Sequence, residues 1–150
     1  MNLSTIDITR TLHADSKTRN VFLCCAPCDA IPCSDKFPYA IVVNTDTQRG
    51  PGKHWVVIYA VSPNVVEYFD SFAAPPIPQI ARYLDGFRTV LRNPKQIQSN
   101  DSYVCGCYCI YYIMMRTAGQ PLSMICHKLK SNPNPDNYVA FFYYSICYFY

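Results

Sequence analysis

The 150-residue sequence has few charged residues, which make up 15% of the chain against 50% that are hydrophobic. It has only five glycines, no internal repeat and no low-complexity stretch, which excludes collagen-like and disordered chains. Neither sign of charge dominates: 13 basic and 10 acidic residues leave a net charge of +3. That balance permits nucleic-acid binding without indicating it. We therefore predict one domain with its own core, spanning residues 1–150.

Long apolar runs are also missing. No uncharged run reaches the ~18–20 residues needed to span a bilayer, and the aromatic stretch 138–150 is too short and too rich in tyrosine. The first 19 residues are polar and lack the apolar centre of a secretory signal. We therefore expect no membrane partner and an intracellular, reducing location.

Cysteine, by contrast, is abundant, with nine residues. Without a secretory signal, an odd count argues against a disulfide framework, so we expect mostly free thiols packed in the core. The stretch 24–38 holds four of these cysteines and three prolines, and is expected to form a loop. The role of Cys24 in it stays open. The other three cysteines offer a zinc candidate beside the packing interpretation, comprising Cys25, Cys28, Cys33 and His13.

Apolar patterning predicts strands in the first half of the chain. Tyr39–Asn44 reads as a buried strand, and Trp55–Val61 and Val65–Phe69 form a β-hairpin around the turn 62–64. The spacing of apolar residues then changes to three and four, which predicts an amphipathic helix from Ile80 through Leu91.

The second half of the chain is predicted to be mainly helical. Lys95–Gln98 could add a short strand. Cys105–Met115 is apolar nearly all round and predicts a helix buried in the middle of the protein. A short helix after Pro121 and a helix in the aromatic tail 139–150 complete the chain. The tail is expected to pack on the core rather than to anchor in a membrane, and docking into a groove of a partner is the alternative.

Reactive side chains stand at the ends of these elements. His54 lies at the entry to one hairpin strand and Asp70 at the end of the other, so antiparallel pairing brings them together. Cys105 begins the buried helix, where free N–H groups and the helix dipole lower a thiol pKa. His54 could act as its base, with Asp70 orienting the ring. Gln98, seven residues before Cys105, could donate an amide N–H to a developing oxyanion, beside the N–H of Cys105.

The order His-Trp, Asp-Ser, then Gln followed after six residues by Cys-Gly resembles the clan of adenain and the SUMO/ubiquitin-like-specific cysteine proteases. Residues 40–45 and 50–55 are most similar to the adenovirus maturation protease, adenain. The Phe-Asp-Ser form of the acid segment is more similar to the SUMO proteases, because adenain carries Glu there. The resemblance covers roughly residues 37–118.

This resemblance implies an α+β fold with a papain-like cysteine protease core of the adenain type, a small mixed β-sheet packed on a central helix bearing the nucleophile. No metal site is implied. Trp55 would shield the imidazole and, with Gly106, lie at the substrate. The implied catalytic roles are base for His54, orienter for Asp70, nucleophile for Cys105 and oxyanion donor for Gln98.

The implied reaction is hydrolysis of a polypeptide after glycine, through a thioester. The implied substrates are capsid precursors of a DNA virus or a virus-like mobile element, which would place the protein in the host nucleus and the virion. Adenain also uses DNA and a disulfide-linked activating peptide. No cysteine lies between Asp70 and Gln98 to hold such a peptide, so the peptide is not carried over to this chain. We expect no cofactor from the sequence, although the net charge leaves DNA open as a partner, and an activating peptide that is not disulfide-linked also stays open.

Other interpretations stay open at this point. The same clan includes isopeptidases of the deubiquitinase or deSUMOylase type, and a non-catalytic zinc- or peptide-binding module could keep the scaffold. Cys107 and Cys109 are interpreted as core residues, since Cys-x-Cys-x-Cys is a poor zinc pattern. Gln96 competes with Gln98 as oxyanion donor, although its spacing from the cysteine fits the family less well.

Overall fold

A mixed β-sheet forms the centre of the computed structural model, which describes residues 1–148. Within those residues the sheet has five strands: β1 (Phe22–Pro27), β2 (Tyr39–Asn44), β3 (Trp55–Ala60), β4 (Val65–Phe69) and β5 (Thr89–Arg92). A short 3-10 turn at Thr18–Asn20 precedes β1. The α-helices of the described residues are α1 (Thr5–Ala14), α2 (Pro78–Leu84), α3 (Cys105–Thr117), α4 (Leu122–Ser131) and α5 (Pro135–Cys147).

The strands lie side by side in chain order. β2, β3 and β4 form an antiparallel meander, and β1 and β5 are added at the two edges by parallel pairing. Val57 pairs with Phe69 across the β3–β4 hairpin, so the predicted hairpin is confirmed. Its open end lies where His54 enters β3 and Asp70 leaves β4.

The two central strands are buried on both faces, which explains why β2 and β3 read as continuous apolar runs. On one face, Val42, Val57 and Phe69 join the core formed with α1, α3 and α5. On the other face, residues such as Ile58 and Tyr68 pack with α2. The α+β fold class and the small mixed sheet packed on a central helix are therefore confirmed.

The central helix α3 is buried from Cys105 through Met114, as the sequence predicts. α5 packs on α3 through one side of the aromatic tail, whereas Phe141 on the other side is 73% exposed. The end of the predicted tail helix, residues 149–150, lies outside the described residues. Within residues 1–148, no helix has the length and apolar character needed to cross a membrane.

Three local predictions are wrong. Part of the expected loop 24–38 is strand β1, because parallel pairing with β2 overrides the turn-forming composition. The expected helix ends at Leu84 rather than Leu91, and residues 89–92 form the exposed edge strand β5. Lys95–Gln98 is not a strand, since the N–H groups of residues 97 and 98 both donate to the carbonyl of Ser71.

Candidate active site

His54 and Asp70 meet at the open end of the hairpin. His54 Nε2 lies 2.7 Å from Asp70 Oδ1, and both side chains are largely buried. This contact leaves Nδ1 as the ring nitrogen free to interact with another group. The pairing follows from the hairpin register, as the sequence predicts.

The Asp70 carboxylate is held by its own turn. Its Oδ1 also accepts a 2.9 Å hydrogen bond from the N–H of Phe72, and its Oδ2 accepts one of 3.3 Å from the N–H of Ala74. Buried Asn93 binds the backbone of Asp70 on both sides: Oδ1 accepts from the N–H at 3.1 Å, and Nδ2 donates to the carbonyl at 2.6 Å. Hydrogen bonds therefore hold both the main chain and the carboxylate of Asp70 in place.

Cys105 is the first residue of α3 and is only 6% exposed. Burial alone would raise the pKa of its thiol. The hydrogen bond with His54, a backbone hydrogen bond with Trp55, the charge of His54 and the N–H of Gly106 outweigh burial and lower the pKa. These are the stabilisers of a thiolate at a helix N-terminus beside an imidazolium.

The same pair acts on His54 in the opposite direction. Burial disfavours the charged imidazole, but hydrogen bonds and charge from Asp70 and Cys105 raise the pKa of His54 to about 9. An imidazolium between a carboxylate and a thiolate is therefore favoured at neutral pH.

The two neighbouring cysteines on α3 differ from Cys105. Both lie in the core, as predicted for packing residues. Burial raises the pKa of Cys107 to about 12, and burial raises the pKa of Cys109 well above its usual value. Only the thiol that faces His54 is therefore prepared for ionisation among the three.

Gln98 is buried, 1% exposed, and its amide is held at both ends. Oε1 accepts a 2.6 Å hydrogen bond from Ser71 Oγ, and Nε2 is the donor end of the amide. Nε2 donates to both the carbonyl and the hydroxyl of Ser102, each at 3.0 Å. The competing Gln96 is exposed and donates to the carbonyl of Gln98 and to Asn100.

The aromatic ring in contact with the imidazole is that of Phe72, which the sequence analysis does not single out. Its centroid lies 4.8 Å from that of His54. Trp55, expected to shield the imidazole, is buried and donates its indole N–H to the carbonyl of Leu3 at 3.0 Å. Leu3 also packs on Gly106, since a Cβ there would lie 3.0 Å from the Leu3 Cβ. Substrate contact by Trp55 and Gly106 stays a prediction.

The zinc candidate is not assembled. Among residues 1–148, no three His, Cys, Asp or Glu side chains are grouped so as to hold a metal ion. Cys25 instead accepts a hydrogen bond from Thr9, and His13 packs on Phe22. The sequence-based zinc interpretation of these cysteines is therefore not supported.

Comparison with known proteins finds similar folds among solved structures. No protein-family model matches the sequence, and no curated protein matches it. Among solved structures, the chain is similar to the ASFV pS273R protease, with 19% identity and a TM-score of 0.60 over 95% of this chain and 66% of that one. It is also similar to the central domain of the uncharacterized Lpg1148 protein from Legionella pneumophila, with 19% identity and a TM-score of 0.55 over 96% of both chains.

These likenesses show the fold. The chain spans about two-thirds (66%) of the length of the ASFV protease. At 19% identity these structures support the fold alone, and none of them is adenain.

Proposed function

We propose that this protein is a cysteine endopeptidase. The observation that carries the proposal is the line of Asp70, His54 and Cys105, in which the thiol facing the imidazole has a lowered pKa whereas the thiols beside it on α3 have raised ones. The similarity of the fold to the ASFV pS273R protease supports the same class of reaction.

In the proposed reaction, the Cys105 thiolate attacks the carbonyl carbon of the scissile peptide bond. The C–N bond of the tetrahedral intermediate breaks as His54 transfers its proton to the leaving amine, and an acyl thioester remains on Cys105. His54 then takes a proton from a water molecule as the water oxygen attacks the thioester carbon. The C–S bond breaks, Cys105 leaves as a thiolate beside the His54 imidazolium, and the new carboxylic acid loses its proton to solvent. Asp70 holds the imidazole on Nε2 throughout, so that Nδ1 faces the sulfur.

The oxyanion of the intermediate needs donors near Cys105. The N–H of Cys105 is one, and Nε2 of Gln98 is the other. Because Nε2 donates to Ser102 in the resting protein, Gln98 has to exchange one of these two partners for the oxyanion. The Ser102 hydroxyl is the partner that can rotate away, since its carbonyl is fixed in the main chain.

A reactive-thiol experiment tests the proposal directly. A peptide electrophile ending in glycine is incubated with the protein, and the modified residue is identified by mass spectrometry. We expect modification of Cys105, its loss in His54→Ala, and its persistence in Cys107→Ala and Cys109→Ala. Hydrolysis of a glycine-containing peptide should be abolished in Cys105→Ala. Near-normal turnover by that variant would disprove the mechanism.

For the substrate, we propose polypeptides cut after glycine, in particular capsid precursors of a virus or virus-like element, with action in the host nucleus and the virion. A panel of capsid-precursor peptides and of Gly-Gly-ended ubiquitin-like modifiers tests this choice. If a modifier is cleaved rapidly and none of the capsid-precursor peptides is cleaved, the protein is instead an isopeptidase. The same panel, run with and without DNA, measures whether a polyanion activates the enzyme.

A further inference from the structure

A cleft of about 510 Å³ opens between the N-terminal segment 2–5 and the loop 47–53. Lys53 and Trp55, the neighbours of His54 in sequence, both line it. Leu3 lines it as well and packs on Gly106, next to Cys105. A polypeptide bound at Cys105 therefore has this cleft available for the residues flanking its scissile bond.

The cleft carries charge of one sign. Lys53 alone has a charged side chain among the described residues that line the cleft; Arg49 belongs to the same loop but does not line it, and the other lining residues are apolar or neutral and polar. The Lys53 side chain is 71% exposed, and its Nζ lies 3.9 Å from Asp46 Oδ1, at the outer limit of an ion pair. Both oxygens of Asp46 already accept backbone N–H groups, from Thr47 at 2.9 Å and Gly52 at 3.1 Å. Because the Lys53 side chain is exposed and its contact with Asp46 is long, the ammonium can also reach a ligand.

The main chain that carries Lys53 is fixed. The N–H of Lys53 donates to Asn44 Oδ1 at 2.9 Å. Gly52 has a φ of 98°, which favours glycine. A Cβ at Gly50 would overlap the Asp46 carboxylate, so a side chain there would displace that carboxylate. The backbone therefore presents Lys53 at one place on the rim, and its flexible side chain can reach into the cleft.

We propose that Lys53 makes this protease select substrates with an acidic side chain close to the scissile bond, bound in the cleft between residues 2–5 and 47–53. The inference rests on the proposed function and extends it to a substrate class. A solvent-exposed ion pair of this kind gives about a two- to fivefold preference for Glu over Gln at low salt, and screening reduces it at high salt.

The test is a positional scan of a cleaved peptide. Glu, Gln and Lys are placed in turn at each position on both sides of the glycine, and kcat/KM is measured for the full-length protein at low and high salt. We expect Glu to exceed Gln, and Gln to exceed Lys, at one position or two adjacent ones. Lys53→Gln should remove the preference, and Lys53→Glu should reverse it.

The matched control is Lys36→Glu, which makes the same charge change at an exposed lysine that does not line the cleft. It should keep the wild-type preference. Cleavage of all peptides by the wild type with equal efficiency would overturn the inference while leaving the proposed function standing. A change in preference in Lys36→Glu as large as in Lys53→Glu would overturn it as well.

A binding experiment tests the inference independently of catalysis. Trp55, the single tryptophan of the chain, lines the cleft and reports peptide binding by its fluorescence. In Cys105→Ala, the Glu peptide should bind more tightly than the Lys peptide, and Lys53→Glu in that background should reverse the order. If no peptide is hydrolysed but this reversal is seen, the proposed function fails and the assignment of Lys53 stands. Equal binding of both peptides would overturn it.

Discussion

The imidazole of His54 lies against the ring of Phe72, with the ring centroids 4.8 Å apart and the planes tilted by 33°. The same oxygen of Asp70 accepts from His54 Nε2 and from the N–H of Phe72. Ala73, which follows, has a φ of 52°, in the left-handed region that few non-glycine residues adopt. The turn after β4 therefore places an aromatic ring on the proposed base.

Replacing Phe72 by leucine should lower the pKa of His54, because an aromatic face stabilises the imidazolium. The loss of activity at high pH, which reports deprotonation of His54, should then begin at a pH about 0.5 unit lower. The pH profile of kcat/KM measures this shift. Phe72→Tyr should keep the wild-type profile, as should the control Phe87→Leu, whose ring packs near Tyr83 instead. An unchanged alkaline limb in Phe72→Leu would contradict the assignment.

Replacing Asn93 by alanine should release the backbone of Asp70. Both hydrogen bonds to that backbone are buried, so their loss should destabilise the protein by about 1–3 kcal/mol. A displaced carboxylate should reduce kcat by about ten- to a hundredfold with little change in KM. Thermal unfolding and steady-state kinetics measure the two effects. Asn100→Ala, at an exposed position, should change neither, and full activity in Asn93→Ala would show that Asp70 needs no such support.

Alkylation and hydrolysis should respond differently to alkaline pH. As pH rises past about 9, the pKa of His54, the imidazolium that protonates the leaving amine is lost, so hydrolysis should fall. Cys105 remains a thiolate there, because its pKa is lowered, so its alkylation by iodoacetamide should persist. Peptide mapping by mass spectrometry follows this residue alone. Parallel decline of both reactions above pH 9 would contradict the ion pair.

The His54→Ala variant tests how far the imidazole lowers the pKa of Cys105, through the pH dependence of Cys105 alkylation. Without the imidazole, burial should dominate and raise the pKa of Cys105, so the pH needed for alkylation should move upward. Cys107→Ala serves as the matched control, because its buried thiol, with a pKa of about 12, takes no part at neutral pH. An alkylation profile of His54→Ala equal to that of the wild type would show that the helix N-terminus alone sets the pKa.

Stability should depend on a buried ion pair on the sheet side of α3. Glu67 accepts hydrogen bonds from Arg116 Nε at 2.9 Å and from the Tyr112 hydroxyl at 2.5 Å. Arg116→Met should leave this carboxylate buried without its cationic partner, with only the Tyr112 hydroxyl of the two donors, and destabilise the protein by about 3 kcal/mol. Denaturant unfolding measures the change. Alkylation of Cys105 in the folded variant should be unaffected, and a stability change within 0.5 kcal/mol of zero, on the order of a surface substitution, would contradict this role.

The sequence predicts the parts of the fold whose signals are local. The β3–β4 hairpin and the buried helix α3 each carry their own apolar pattern, and with them the pairing of His54 and Asp70 and the placement of Cys105. The edge strands β1 and β5 were not predicted, because their parallel pairing depends on neighbours that fold against them.

The residues that support the site also differ in whether the sequence could have indicated them. Phe72 could have been found by extending the hairpin register, in which it lies opposite His54. Asn93 and Ser102 could not, because a polar residue in a loop gives no sign of its hydrogen-bond partner until the tertiary structure brings the two together.

Ser71 connects two parts of the site that catalysis would use at different moments. It follows Asp70 directly, its carbonyl accepts the N–H groups of Ile97 and Gln98, and its hydroxyl binds the amide of Gln98. Ser71 therefore connects the Asp70 carboxylate, which orients the base, to the Gln98 amide, which is assigned to the oxyanion. An engineer who wished to retune either of them would have to redesign both.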